Sequence, residues 1–208
     1  MIPQIQLGPD VNTWPEPLRN RYFERLRAAQ STSLPIEADF DSLIPLSMRA
    51  NPPEHPKQDA FVDSQAKRVM VRAGRRGGKT VGVAKRAVKR FILGRRILYA
   101  APTQEQIDRF WVTVNRILAK PIESGQIYKN ETKHILEVPG TERRIRAKTA
   151  WNADTLRGDY ADDLILDEWQ LMDEDAWKLV GAPMLLDNNG DAVFIYTPPS
   201  LHSRSTSK

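Results

Sequence analysis

Eight consecutive residues, Ala73-Gly74-Arg75-Arg76-Gly77-Gly78-Lys79-Thr80, constrain this chain more than any other stretch. The apolar run Val69-Met70-Val71 leads in, and a helical pattern starting near Lys79 leads out. Strand, glycine-rich turn and helix together form the context in which such a string cradles phosphate. Successive backbone N–H groups make a concave anion site, and the helix N-terminus adds partial positive charge. Glycines let the backbone approach closely and adopt positive φ. In this arrangement Lys79 reaches the β- and γ-phosphates of a nucleotide, and the Thr80 hydroxyl faces Mg²⁺. Ala73 stands where the usual pattern has glycine, and alanine is the smallest substitute. A bare strand-to-helix turn with a chance lysine would not need all of these features at once.

A second feature lies far downstream. Leu164-Ile165-Leu166 ends in Asp167-Glu168, an apolar run closed by two carboxylates. Asp167 suits the holding of Mg²⁺ opposite Thr80. Glu168 suits the orientation and deprotonation of an attacking water. Alone, the pair also fits an acidic strand-to-helix boundary beside a helix dipole. Given the phosphate loop upstream, the functional reading is preferred. Arg75 and Arg76, inside the loop, and Arg157, in Leu156-Arg157-Gly158, are cations available to a γ-phosphate; taken alone, each reads more readily as a solvated arginine.

Between and around these motifs, strands alternate with helical patterns from residue 68 to 197. Strands are expected at Arg68–Val71, Ile97–Ala101, Leu164–Leu166 and Ala192–Tyr196. Short apolar strands with helical crossovers imply a mostly parallel sheet covered on both faces. Ligands in such sheets bind at the carboxyl ends of the strands. The phosphate loop, Asp167-Glu168 and Thr197 all fall there. The helix after the loop places Val81, Ala84, Val88 and Phe91 on one face and Lys85 and Lys89 on the other, and Gly94 stops it. Thr103 and Gln106 form a capping box for a helix carrying Ile107, Phe110, Trp111, Val114, Ile117 and Leu118, which Pro121 ends. Ile135–Val138 and Arg144–Ala147 around Pro139-Gly140-Thr141 predict a basic β-hairpin excursion. A short helix is expected over Lys57–Ser64, and Asp173 caps a helix carrying Trp177 and Val180, bent or ended by Pro183.

Residues 1–54 are expected to form an N-terminal helical and linker extension, with a helix from Thr13 to about Gln30 whose Arg19, Arg21, Arg25 and Arg27 make one surface basic. The ATPase domain is expected over 55–208. With 208 residues, one or two domains are possible. The net charge of +5 permits a polyanionic partner such as DNA. Without cysteine there is no disulfide frame or thiolate metal site, and three scattered histidines disfavour a histidine-rich one. No run approaches a membrane span and no signal peptide is visible, so a soluble intracellular protein is expected.

The order of these motifs resembles the ATPase domain of the large terminase subunit, the motor that packages DNA into procapsids of tailed phages. The resemblance rests on Gly74–Thr80, Ala101-Pro102-Thr103, Leu156-Arg157-Gly158, Ile165–Glu168 and Thr197-Pro198. It implies an α/β P-loop NTPase of the ASCE or RecA-like kind, and cofactors ATP and Mg²⁺. It implies that Gln58, twenty-one residues before Lys79, reads adenine. It further implies that Arg75 senses the γ-phosphate in cis, that Arg157 acts in a neighbouring subunit's site, and that Thr197 couples hydrolysis to movement. Arg76 has no assured counterpart. The implied partners are double-stranded DNA, further copies in a ring, portal and a small terminase subunit, in the host cytoplasm. Large terminases also carry a nuclease domain; no acidic metal-ligand cluster follows Thr197, so nuclease activity is not expected here. A helicase-like ATPase, a P-loop kinase and a DNA-binding module without turnover remain as alternatives.

Overall fold

The computed structural model describes residues 16, 43–44, 56–74, 77–150, 156, 158–173, 175–186 and 188–198. The helix expected over Thr13–Gln30 lies outside them except for Glu16, as do Arg75, Arg76 and Arg157.

Seven strands form one sheet: β1 (Arg68–Arg72), β2 (Ile97–Ala101), β3 (Tyr128–Asn130), β4 (Ile135–Glu137), β5 (Arg144–Thr149), β6 (Asp163–Leu166) and β7 (Asp191–Tyr196). Their order is β1-β7-β6-β2-β5-β4-β3. The first five in that order are parallel, and β5, β4 and β3 pair antiparallel. The basic hairpin is thus β4–β5, extended by β3, whose three residues carry too little alternation to be visible as a strand.

Alternation within each strand sorts the core into two layers. Tyr99, Ile165, Val193 and Ile195 face α1 (Pro56–Asp63), α2 (Lys79–Ile92) and α3 (Gln104–Ile117), whose apolar stripes supply Val83, Val88, Phe91, Phe110 and Val114. Leu98, Leu164, Leu166 and Ala192 face the opposite layer, where Met172, Ala176, Val180 and Leu185 pack. Those residues belong to a 3-10 turn (Trp169–Leu171), a π-helix (Ala176–Gly181) and α5 (Ala182–Leu186) and their flanks. The wide π turn comes just before Pro183, whose ring cannot follow a regular turn and whose N–H is missing. Every residue of β2 is buried, as expected of a strand covered on both faces. Ile44, from the N-terminal extension, is buried in the first layer.

Local signals behave as their chemistry dictates. The Thr103 N–H donates to Gln106 Oε1 at 3.1 Å, closing the capping box of α3. α2 ends at Gly94, whose φ of 92° lies in the left-handed region and whose N–H donates to the Phe91 carbonyl. One expectation needs correction. Pro121 does not end α3; the helix breaks at Leu118 and a new one, α4 (Ala119–Glu123), begins. Pro121 sits in its first turn, where a missing N–H costs nothing. Lys85, on the face opposite the apolar stripe, is nonetheless buried at 8% exposure, because α1 lies across that side of α2.

Candidate active site

β1 delivers the chain to the phosphate loop. The Ala73 N–H donates to the Tyr196 carbonyl at 3.2 Å, pinning the loop's start to the end of β7. The Gly77 N–H donates to the Gly74 carbonyl at 3.2 Å, folding the loop back on itself. Gly78 then takes φ 72° as the N-cap of α2. That left-handed conformation favours glycine, and a Cβ there would also press on the mobile end of Gln58, 2.9 Å from Nε2. Among the described residues no side chain caps α2, so its first N–H groups keep their capacity for an anion. Lys79, in the first turn, donates from Nζ to the carbonyls of Ala73 at 3.0 Å and Gly74 at 3.2 Å, folding over the loop it follows. Thr80 is half-buried beside it.

Gln58 lies near the start of α1, packed against the loop's exit. Its Nε2 donates to the Gly78 carbonyl at 3.1 Å, and its Oε1 accepts from Lys85 Nζ at 3.1 Å. A Cβ on Gly82 would touch its side chain at 3.1 Å. The other end of α1 is tied down by Arg86, which donates to the carbonyls of Phe61 at 2.9 Å and Ser64 at 2.8 Å. Burial lowers the Arg86 pKa, and the neighbouring Arg90 lowers it further. Lys85 and Arg86 therefore fix where Gln58 sits. Sequence reasoning missed both; two charged residues in succession on an otherwise amphipathic helix were the available signal.

β6 and β7 supply the remaining groups. Only β7 separates β1 from β6, which puts the two strand axes about 10 Å apart. Asp167 follows β6 and is buried. Its Oδ2 accepts from the Tyr99 hydroxyl at 2.6 Å and its Oδ1 from the Glu168 N–H at 2.9 Å. Burial raises its pKa and the charge of Glu168 reinforces this; the Tyr99 hydrogen bond, the Glu168 N–H and the charge of Lys79 oppose it. Glu168 takes φ 50°, a left-handed conformation rare for a residue with a side chain, which turns it away from the line of β6. The Thr197 hydroxyl, just past β7, donates to Glu168 Oε1, and Gln170 Nε2 donates to Glu168 Oε2 at 2.6 Å. Gln170 Nε2 also lies 3.4 Å from the Thr197 carbonyl. The ends of β6 and β7 are thereby joined through Glu168. Neither Tyr99 nor Gln170 was foreseen; the hydroxyl within an apolar strand was the only hint.

Among the described residues no group of three or more histidine and acidic side chains stands ready for a metal. Mg²⁺ does not need one, since it binds through one or two oxygen ligands plus substrate phosphates and water. A buried carboxylate with no ion-pair partner among the described residues, together with a hydroxyl, fits that donor chemistry.

The chain is similar to solved structures of phage packaging enzymes. It resembles the large terminase ATPase domain of Thermus phage P74-26 at 28% identity and a TM-score of 0.60, over 71% of this chain and 66% of that one. It resembles the large terminase of bacteriophage HK97 at 14% identity and a TM-score of 0.56, over 69% and 33%. It also resembles the large terminase of a thermophilic bacteriophage in complex with ATP-gamma-S, at 13% and 0.51, over 69% and 38%. The last two establish the fold alone. The match thus spans about two thirds of the P74-26 domain and a third or little more of the other two chains. No protein-family model and no curated protein matches the chain. The resemblance to large-terminase ATPase domains holds in three dimensions, and the fold is that of a P-loop NTPase.

Proposed function

We propose that the chain is the ATPase motor domain of a large terminase, beginning near residue 55 and coupling hydrolysis of ATP to movement of double-stranded DNA into a procapsid. The observation that carries this reading is the junction at Glu168. One carboxylate is held by the Thr197 hydroxyl at the end of β7, directly beside Asp167 and one strand away from the phosphate loop. A structural acidic turn needs no left-handed glutamate tied to the next strand.

In this reading the amides of Ala73–Thr80 and the N-terminus of α2 bind the triphosphate, and Lys79 leaves the loop carbonyls for the β- and γ-phosphates. Gln58, set against Gly78, selects adenine. Thr80 and Asp167 are the residues that would hold Mg²⁺, which neutralises charge on the phosphate oxygens when bound. Glu168 takes the proton of the attacking water at a carboxylate oxygen now bonded to Thr197 or Gln170. Release of the Thr197 hydroxyl then reports the state of the site to β7, which makes Thr197 the coupling residue. Arg75 in cis and Arg157 in trans supply further positive charge, with Arg76 adjoining. Dependence on a neighbouring subunit's arginine makes turnover a property of an assembled ring. The partners that follow are double-stranded DNA, further copies of the chain, portal and a small terminase subunit, meeting in the host cytoplasm.

The test is phosphate release from Mg·ATP. Glu168→Gln should keep nucleotide affinity and lower turnover by about 10²–10⁴-fold, the range for loss of a general base. Wild-type turnover in the variant, or transfer of phosphate to an acceptor other than water, overturns the reading.

A further inference from the structure

We propose that Tyr99 is a positioning residue for the metal-binding carboxylate of Asp167, resting on the function proposed above. Tyr99 is the one polar side chain in β2, Ile97-Leu98-Tyr99-Ala100-Ala101, and it is 1% exposed. Phenylalanine would fill the same space without demanding a hydrogen-bond acceptor. The hydroxyl instead reaches across to the end of β6 and donates to Asp167 Oδ2 at 2.6 Å.

The geometry leaves the phenol no freedom. Its ring stacks on Phe110, with centroids 3.8 Å apart and planes 4° from parallel. Phe110 is fully buried on α3, whose start is fixed by the Thr103–Gln106 capping box. On the other side, the Asp167 N–H donates to the Ala100 carbonyl at 2.9 Å, so the backbone of the acid is registered to the residue after Tyr99. Oδ1 of Asp167 is occupied by the Glu168 N–H. Both carboxylate oxygens therefore have one donor each, both from neutral groups, and each keeps acceptor capacity. That is the arrangement expected of a ligand whose orientation is set by its surroundings while its charge is left for a cation. An arginine or lysine in the place of Tyr99 would hold the acid equally well and spoil it as a ligand.

Outer hydrogen bonds to metal ligands are worth about 10–100-fold in metal affinity. The experiment is calorimetric titration of the whole chain with ATP-gamma-S, with and without Mn²⁺, and with Mn²⁺ half-saturation followed by its paramagnetic signal. Tyr99→Phe should leave metal-free nucleotide affinity as in wild type and weaken Mn²⁺ half-saturation by about 10–100-fold. Phe110→Leu, which keeps the hydroxyl but loosens the stack, should move Mn²⁺ half-saturation in the same direction by less. Unchanged Mn²⁺ half-saturation in Tyr99→Phe overturns the proposal and leaves the ATPase reading intact. Equal loss of metal-free and metal-bound affinity also overturns it, by assigning Tyr99 to the fold. A wild-type chain that binds nucleotide with no metal dependence, or not at all, overturns both.

Discussion

The two ends of the parallel strands use the same residue types to opposite purpose. β6 starts at Asp163 and is followed by Asp167; β7 starts at Asp191 and is followed by Thr197. At the amino-terminal edge every acid is matched. Asp163 pairs with Arg95 and faces Arg90, and Asp191 lies 3.1 Å from Lys67, 3.4 Å from Arg90 and 3.2 Å from Arg95. Asp162 pairs with Arg96 at 2.9 Å. At the carboxyl-terminal edge, Asp167 and Glu168 form no ion pair among the described residues; hydroxyls and amides hold them. Buried charge without a counter-charge is costly. One edge offsets part of that cost with arginines, although burial still raises the Asp163 pKa, and becomes a staple for the sheet. The other leaves it standing beside an anion-binding loop, where a cation brought with the ligand can relieve it.

Substitutions at the two edges should therefore separate stability from binding. The largest effect is expected from Lys79→Ala. Nucleotide affinity should fall by an amount near the upper end of about 2–5 kcal/mol, the cost of removing one partner from a desolvated charge pair. The thermal midpoint should barely move, because among the described residues Lys79 hydrogen-bonds to loop carbonyls alone. Calorimetry and a melting curve read both; a large drop in the midpoint would place Lys79 with the staple.

Asp163→Asn comes next and should do the reverse. Removing one partner of a buried ion pair costs about 3–5 kcal/mol, and the lower end applies since Asp191 still faces Arg90 and Arg95. Denaturant unfolding should show this loss while nucleotide affinity per folded molecule stays as in wild type. A selective loss of affinity would erase the contrast between the edges.

The smallest effect concerns pH. Burial pushes the Asp162 pKa up, but the side chain and backbone N–H of Arg96 outweigh it and hold the carboxyl below its usual range. A folded-state pKa below the unfolded one adds stability above the unfolded value, and that stability is lost as pH falls through the folded one. Asp162 is partly exposed, so the contribution is about 1 kcal/mol or less. Asp162→Asn should lower stability near neutral pH and flatten its acid limb. An unchanged acid limb would remove Asp162 from the staple.

The sequence shows this division only in part. Local chemistry was legible: the loop, the apolar strands, the capping box, Gly94 as a stop, and Asp167-Glu168 closing a strand. These depend on neighbours within a few residues. Residues that meet across strands were not. Tyr99 looks like any aromatic core residue until β2 is placed beside β6, and Gln170 looks like a turn residue until β7 is placed beside the 3-10 turn. Lys85 has the spacing of a solvated face, and only the position of α1 buries it. Asp163 and Asp191 read as strand-edge polar residues, and their shared arginines come from α2 and the turn after it. Pro121 gave a true break signal, misplaced by the fresh helix start at Ala119.

The central claim is that the carboxyl-terminal edge of the sheet is where a nucleotide and its metal are held and turned over. A crystal structure of the chain with Mg²⁺ and ATP-gamma-S tests it most directly. The account predicts phosphates over the amides of Gly74–Thr80, Lys79 swung from the Ala73 carbonyl onto them, and Mg²⁺ between Thr80 and Asp167. Nucleotide bound anywhere else, or Lys79 still on its loop carbonyls with the analogue in place, would contradict it.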